Sequence, residues 1–406
     1  MNKKFELKAS EYLNTLCTII GDRSVGSSGN IEATDFFEKT MSSFGWDIEK
    51  DKLDVMDWDC GRTEVLAGDE SFEAMTSPYS KGCTVEAELV CVSDVVELEK
   101  SDLNGKAVLL YGKIAGEQLM PKNFVFYNPD EHQRIVSLLE KSGAAVIICA
   151  TGRNSALAGG VYPFPLIEDG DFEIPSVYMT DKEGCRFMEF KGKTVRVNSS
   201  ACRHRSKAFN ITAFKRKPGA RRIVITAHID AKKGTPGAID NATGVVILML
   251  LGEMLRDYSG SYQIEISAFN GEDYYAVPGQ MEFIRKNEGK FGDIALNINI
   301  DGAGYIDGDT AFSFYGVQDE VHNTALEVIG RYKDASVGPE WPQGDHSIFV
   351  QYGVPAVAVS SMWLTTNMEN QSITHTSKDI PEIVDSGKTA RAAEMISLIT
   401  GKIKGI

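Results

Sequence analysis

Apolar positions change their spacing several times along the first 60 residues. Leu7, Leu13, Leu16, Ile19 and Ile20 recur at helical spacing across 5–20, the polar stretch GDRSVGSSGN fills 21–30, and a second amphipathic helix is predicted over about 31–44. WDIEKDKLDVMDW follows with the texture of a strand. These elements form one flank of a domain that they do not complete. From residue 76 β-type runs dominate: VEAELVCVS (85–93), KAVLLYGK (106–113) and AAVIICAT (144–151), then IPSVYMT and KTVRVN. Between the second and third lies the helix NPDEHQRIVSLLEKSG, with Ile135, Leu138 and Leu139 on one face and Gly143 as its stop. His132 on this helix is expected to be solvated.

From about 205 the pattern alternates strand and helix. ARRIVITAH (220–228), YQIEISAFN (262–270), IALNINID (294–301) and VPAVAVSS (354–361) read as strands. Helices are predicted at 242–258, near 278–288, at 321–332 and at 384–402. The predicted fold class is therefore α/β: a mostly parallel mixed sheet with helices on both faces, plus a smaller β-rich α/β domain.

At 406 residues the chain is expected to form two or three compact units. A net charge of −15 argues against nucleic acid or an anionic membrane as the main partner. VVILMLL at 245–251 is far too short to span a bilayer. The N-terminal MNKKFELKASEYLNTLCTII has no continuous apolar core, so no leader is expected. Seven cysteines at scattered positions, none in a CxxC pair, predict free thiols and a cytoplasmic protein, or an extracellular one if a leader was removed upstream.

The chemistry is concentrated at the strand ends of the last segment. In open α/β sheets functional groups gather beyond the carboxyl ends of strands. Here the first strand ends at His228 with Asp230 two residues on, the second runs into Asn270-Gly271-Glu272-Asp273, and the third ends at Asp301. Asp240 directly precedes a helix, and the loop after 354–361 carries His375. Singly each has an ordinary reading: Asp240 an N-cap, Glu272 and Asp273 a solvated loop, a histidine a hydrogen-bonded strand end. Together at one rim they form a nitrogen and oxygen donor set suited to zinc. Two histidines and three carboxylates exceed one tetrahedral ion and suit two ions about 3.5–4 Å apart, if one carboxylate bridges them. Asp240 is the natural bridge, and either Glu272 or Asp273 is left as general base.

The motifs AHID (227–230), GAIDNATGV (237–245), NGED (270–273), NID (299–301) and THTSKD (374–379), in this order, resemble metallopeptidase family 28, the co-catalytic zinc aminopeptidases of the aminopeptidase S and aminopeptidase Y type. The resemblance implies the zinc exopeptidase fold, with His228 and Asp301 on one ion, Asp273 and His375 on the other, and Asp240 between them. It further implies Glu272 as general base, Asp230 as the partner fixing the His228 ring, and a cis peptide between Asp240 and Asn241. Two zinc ions per chain are expected, with cobalt or manganese as substitutes, and peptides as substrates. LNGKAVLLYGK, EKSGAAVIICA and FEIPSVYMT resemble the protease-associated domain inserted in such enzymes. The implied organisation is 1–75 as the N-terminal part of the peptidase domain, 76–204 as the insert, and 205–406 as the catalytic domain. An oligomer is compatible with the sequence.

The chain departs from its relatives at three places. Asp273 stands where most carry a second glutamate, Thr374 stands where some carry a tyrosine, and Lys232 and Lys233 lie between two ligand motifs. His346, in WPQGDHSIF, is expected to line the cleft rather than bind metal; His204 and His322 belong to no motif. The leading expectation is an aminopeptidase. A carboxypeptidase or glutaminyl cyclase on the same fold is the alternative, and a non-catalytic binding protein would have broken ligands.

Overall fold

The computed structural model describes residues 3–153, 160–368 and 370–404. Met1 and Asn2, which open the segment where no leader is expected, lie outside the described residues. The chain divides into two compact units, Met1–Val55 with Lys207–Ile406, and Met56–Ser206.

The first unit is built on an eight-stranded sheet. Its strands are β1 (Asp47–Asp59), β2 (Cys202–Lys215), β3 (Arg222–His228), β4 (Gln263–Phe269), β5 (Ile294–Ile300), β6 (Thr310–Tyr315), β7 (Ala335–Val337) and β8 (Ala356–Ser361). The order across the sheet is β1-β2-β4-β3-β5-β8-β6-β7. The centre, β4-β3-β5-β8, is parallel, while β2 against β4 and β6 against β8 are antiparallel. Ile223 to His228 are all buried, as a continuous apolar run requires when both faces of a strand are covered.

The helices of this unit are α1 (Lys3–Asn14), α2 (Ser28–Ser43), α3 (Thr243–Met254), α4 (Pro278–Lys286), α5 (Asp319–Ile329), α6 (His346–Gln351), α7 (Met362–Asn367) and α8 (Ser386–Lys402). α3 is buried continuously from Thr243 to Gly252 because it meets β3 and β4 on one side and α1 and α8 on the other. A helix apolar all round has no other stable home in water. The first predicted helix is not uniform: after Asn14 the chain widens into a π-helical turn over Thr15–Ile20. It closes with Gly21 N–H donating to the Leu16 carbonyl, 3.2 Å away. α2 begins at an N-cap, Ser27, whose hydroxyl accepts from Asn30 N–H at 3.0 Å.

The second unit holds another eight-stranded mixed sheet. Thr63–Ala67, Glu70–Phe72, Thr194–Ser199 and the first part of Cys83–Val92 are antiparallel neighbours. The end of Cys83–Val92, Ala107–Leu110, Val146–Thr151 and Ser176–Thr180 pair in parallel. One apolar cluster includes Leu110, Ile135, Leu139 and Phe164, and another includes Val65, Leu109, Ile148 and Phe187. His132 is not solvated: it is 4% exposed, accepts from Met120 N–H through Nδ1 at 3.1 Å, and contacts Glu117 through Nε2 at 3.2 Å. Its helix packs that face inward, which the periodicity of 135–139 alone did not reveal.

All seven cysteines are free, with Cys17, Cys91 and Cys149 buried and Cys60, Cys185 and Cys202 exposed. No helix among the described residues is long and apolar enough to cross a membrane.

Candidate metal centre

The parallel register brings the strand-end residues together. β3 pairs with β5 with Thr226 opposite Asn299, so two residues further along His228 stands level with Asp301. Asp301 is fixed there by its N–H, which donates to the Val359 carbonyl at 2.9 Å. β4 ends beside His228 and turns into the loop bearing Glu272 and Asp273. Asp240 enters from the segment before α3, through a cis peptide to Asn241. His375 comes from the loop between α7 and α8, with its backbone at φ +60. A non-glycine residue in that region is uncommon and needs local support. The Gln371 side-chain oxygen supplies it, accepting from Ile373 N–H at 2.7 Å and Thr374 N–H at 3.0 Å.

Two trios of possible ligands result: His228, Asp240 and Asp301, and Asp240, Asp273 and His375. Within each trio the donor atoms lie within 4.8 Å of one another. Asp240 belongs to both. Its Oδ1 is 3.1 Å from Nε2 of His228 and its Oδ2 is 3.1 Å from Nε2 of His375. His228 Nε2 is 3.7 Å from Asp301 Oδ1, and His375 Nε2 is 3.0 Å from Asp273 Oδ1. His228 is 1% exposed in its side chain and Asp273 5%, so most of this polar cluster is withdrawn from water.

A second layer holds the loops. The Asp230 carboxylate accepts from the N–H groups of Gly271 at 2.7 Å, Glu272 at 3.3 Å and Asp273 at 3.0 Å. Asp230 meets the His228 ring through its main-chain carbonyl, 3.2 Å from Nδ1, while its nearest carboxylate oxygen is 3.7 Å away. Asn241 donates through Nδ2 to the Ile300 carbonyl at 2.8 Å and accepts from Gly244 N–H at 3.0 Å. The Asp379 carboxylate accepts from Ile239 N–H at 2.7 Å and Asp240 N–H at 3.0 Å.

The charges are strongly coupled. Burial disfavours a protonated imidazole at His228, but the carboxylates of Asp230, Asp240 and Asp301 raise it well above the ordinary histidine range. At His375 burial is likewise outweighed, by Asp273 and Asp240. Against its own burial, Asp240 is held below the carboxylate range by the two histidines. Glu272 is pushed well above its ordinary value by burial and by the charges of Asp273, Asp301 and Asp345, with His228 opposing.

Three participants carried no sequence signal that singled them out. Asp379 is the last residue of a motif but is fully buried on backbone amides. Asp345 is 1% exposed, with one oxygen accepting from Gln280 Nε2 at 2.6 Å. Arg23 is buried and bonded to carbonyls of the loop that follows His228. The remaining expected positions separate from the cluster. His346 lies between the rings of Tyr315 and Trp341, and burial pushes it down to about 4. His204 pairs with Asp59 at 2.8 Å, and His322 packs edge-on against Phe314. Lys232 and Lys233 are half-buried, and Lys378 is exposed.

Residues 210–400 match the family model of peptidase family M28. No curated protein matches the sequence. Among solved structures, the aminopeptidase from Aneurinibacillus sp. strain AM-1 is 20% identical with a TM-score of 0.75, over 98% of this chain and 94% of that one. BSAP, a zinc aminopeptidase from Bacillus subtilis, is 15% identical with a TM-score of 0.72, over 99% of this chain and 95% of that one. The glutaminyl cyclase of Porphyromonas gingivalis is 13% identical with a TM-score of 0.53, over 98% of each chain. At these identities the likeness is one of fold.

Proposed function

From residues 210–400, which carry the peptidase family M28 segment, we propose that this protein is a two-zinc aminopeptidase that removes residues from the amino end of peptides. The observation that carries the reading is the shared carboxylate of Asp240, with each oxygen 3.1 Å from a different histidine. The donor set fits zinc: each trio offers one imidazole nitrogen and two carboxylate oxygens. Among the described residues His228 Nε2 and Asp273 Oδ2 are buried without a hydrogen-bond partner, as atoms reserved for a cation would be.

When bound, zinc supplies Lewis acidity, polarising the scissile carbonyl and making a water more acidic. The chain's own residues do the rest. Glu272, the carboxyl raised by burial and by its acidic neighbours, takes a proton from the attacking water. The new C–O bond forms in that attack; the proton then passes to the leaving amine, and the peptide C–N bond breaks as it arrives. Asp230, gripping three consecutive amides of the 271–273 turn, fixes where the Glu272 carboxyl can reach. A free amino terminus is a cation and suits a rim of Asp and Glu. A carboxypeptidase would instead want a fixed cation, preferably arginine with its two-pronged fork. No arginine falls in the ligand motifs.

Glutaminyl cyclisation on the same fold needs one ion, and the presence of both trios counts against it. A leucyl anilide, its N-acetylated form and a peptide blocked only at its carboxyl end distinguish the readings. Acetylation should abolish cleavage and the carboxyl block should not. The reverse pattern would move the protein to the carboxypeptidases, with Lys232 and Lys233 as the first residues to replace.

A further inference from the structure

The segment bearing Asp240 is held from two sides by buried charges. Arg23, in the 21–30 loop, is 0% exposed. Its Nε donates to the Ile229 carbonyl at 3.1 Å, and its Nη1 to the carbonyls of Leu16 at 3.2 Å and Pro236 at 2.8 Å. Its Nη2 donates to the Gly237 carbonyl at 2.8 Å. Each of these oxygens belongs to the main chain. Beyond Gly237 the charge reverses: Asp379, also 0% exposed, accepts from the N–H groups of Ile239 and Asp240, and its own carbonyl accepts from Ala238 N–H at 3.1 Å.

At one end of 237–240 the Gly237 carbonyl thus faces a guanidinium, and at the other the amides of Ile239 and Asp240 face a carboxylate. We propose that Arg23 and Asp379 act as paired positioning residues, clamping the 237–240 backbone so that the Asp240 carboxylate stands midway between His228 and His375. This rests on the two-ion reading of the centre.

The physical case is that a buried charge is costly unless it is matched, and here the peptide dipoles between the two charges supply part of the match. Loss of either charge leaves the other facing peptides it alone must orient. The site is also built for close approach: a Cβ on Gly237, whose φ is +57, would lie 2.9 Å from Arg23 Nη2. The first turn of α2, directly after this loop, reaches the strand end that leads to Glu272 and Asp273. Asn30 and Asn270 exchange side-chain amide bonds of 3.0 and 2.9 Å, and Asn30 Nδ2 donates to the Arg23 carbonyl at 3.0 Å. Residues 23 and 30, far away in sequence, therefore hold both the loop after His228 and the strand end before Glu272.

The test compares the full chain with Arg23→Lys, Arg23→Met, Asp379→Asn and the double variant Arg23→Met/Asp379→Asn. Zinc affinity is read by competition with a chromophoric chelator, and amide hydrogen exchange over 236–241 is read in metal-free protein. In the single variants both ions should weaken together, by about 10–100-fold as when a group supporting a ligand is removed, because the displaced carboxylate serves both. Exchange over 236–241 should accelerate without zinc present, Arg23→Lys should recover part of each loss, and the double variant should lose less than the two singles combined. Cobalt-loaded Asp379→Asn should show an altered visible spectrum. If Arg23→Met does not fold, Arg23→Lys and the near-isosteric Asp379→Asn carry the comparison. Wild-type affinity for both ions in folded Asp379→Asn, or loss of only one ion, overturns the proposal. A wild-type chain that holds fewer than two ions overturns the functional reading instead.

Discussion

Glu272 and Asp273 are adjacent in sequence, yet they are placed differently. Asp273 Oδ1 lies 3.0 Å from His375, inside a ligand trio, whereas Glu272 belongs to neither trio. Glu272→Gln should therefore keep both metals and slow turnover by roughly 10²–10⁴-fold, the usual size of a lost general base. Asp273→Asn should weaken metal binding first. Zinc content measured beside turnover decides this, and metal loss in Glu272→Gln with none in Asp273→Asn would reverse the assignment. The thiols give a check on burial. Cys60, Cys185 and Cys202 should react with a thiol reagent in the native protein, while Cys17 and Cys91, pushed up to about 11 by burial, and Cys149, also raised by burial, should wait for unfolding. Cys83 is half-buried, so rapid labelling of more than four thiols would contradict the packing. At this scale the sequence exposed the candidate ligands His228 and Asp301 as abrupt ends of apolar runs, and Asp240, Asp273 and His375 as polar positions in loops at the same rim. Arg23 and Asp379 stayed hidden because they act on backbone groups near the centre that are brought close only by folding, at sequence separations of 206 and 139 or more.

Among the elements, α3 was legible in outline because the run VVILMLL at 245–251 leaves no polar face and belongs in an interior. Leu250, on that helix, is 0% exposed, and Leu250→Ala should cost about 2–5 kcal/mol, as cavity-forming changes do. Leu7, on α1, is 56% exposed, and its replacement by alanine should stay within about 0.5 kcal/mol. Urea unfolding of metal-free protein measures both, and equal losses would refute the placement of α3 at the centre. Strands β2, β6 and the short β7 were missed. β6 packs antiparallel on β8 between stretches without regular alternation, so its pairing is set by a neighbour far along the chain. The π-helical turn at Thr15–Ile20 was also missed, since its apolar positions satisfy the helical period up to Ile20. Helix α3 bears on the centre through Gly244, where a Cβ would sit 2.4 Å from the Asn241 side-chain oxygen. Gly244→Ala should therefore impair metal binding more than a surface change on the same helix, because Asn241 also holds the residue before Asp301. Unchanged zinc affinity would show that Asn241 can yield.

Across the whole molecule, the five candidate ligands all fall between residues 228 and 375, within one compact unit. Residues 56–206 form the other, and β1 and β2, which lead out of and back into the first unit, are neighbours in its sheet. Replacing 56–206 by a short turn should leave both ions bound and alter substrate length preference or solubility. A folded product unable to bind metal would mean that this unit supplies part of the centre. The alternation of strand and helix after 205 was enough to predict the sheet and the rim where the candidate ligands gather, whereas the texture of 76–204 yielded strands without their order. The most direct test of the account is metal stoichiometry followed through a titration. Metal-free protein should hydrolyse no leucyl anilide, and added zinc should restore activity as occupancy approaches two ions per chain. Full hydrolysis by protein shown to hold no metal, or saturation of both activity and binding at a single ion, would contradict it.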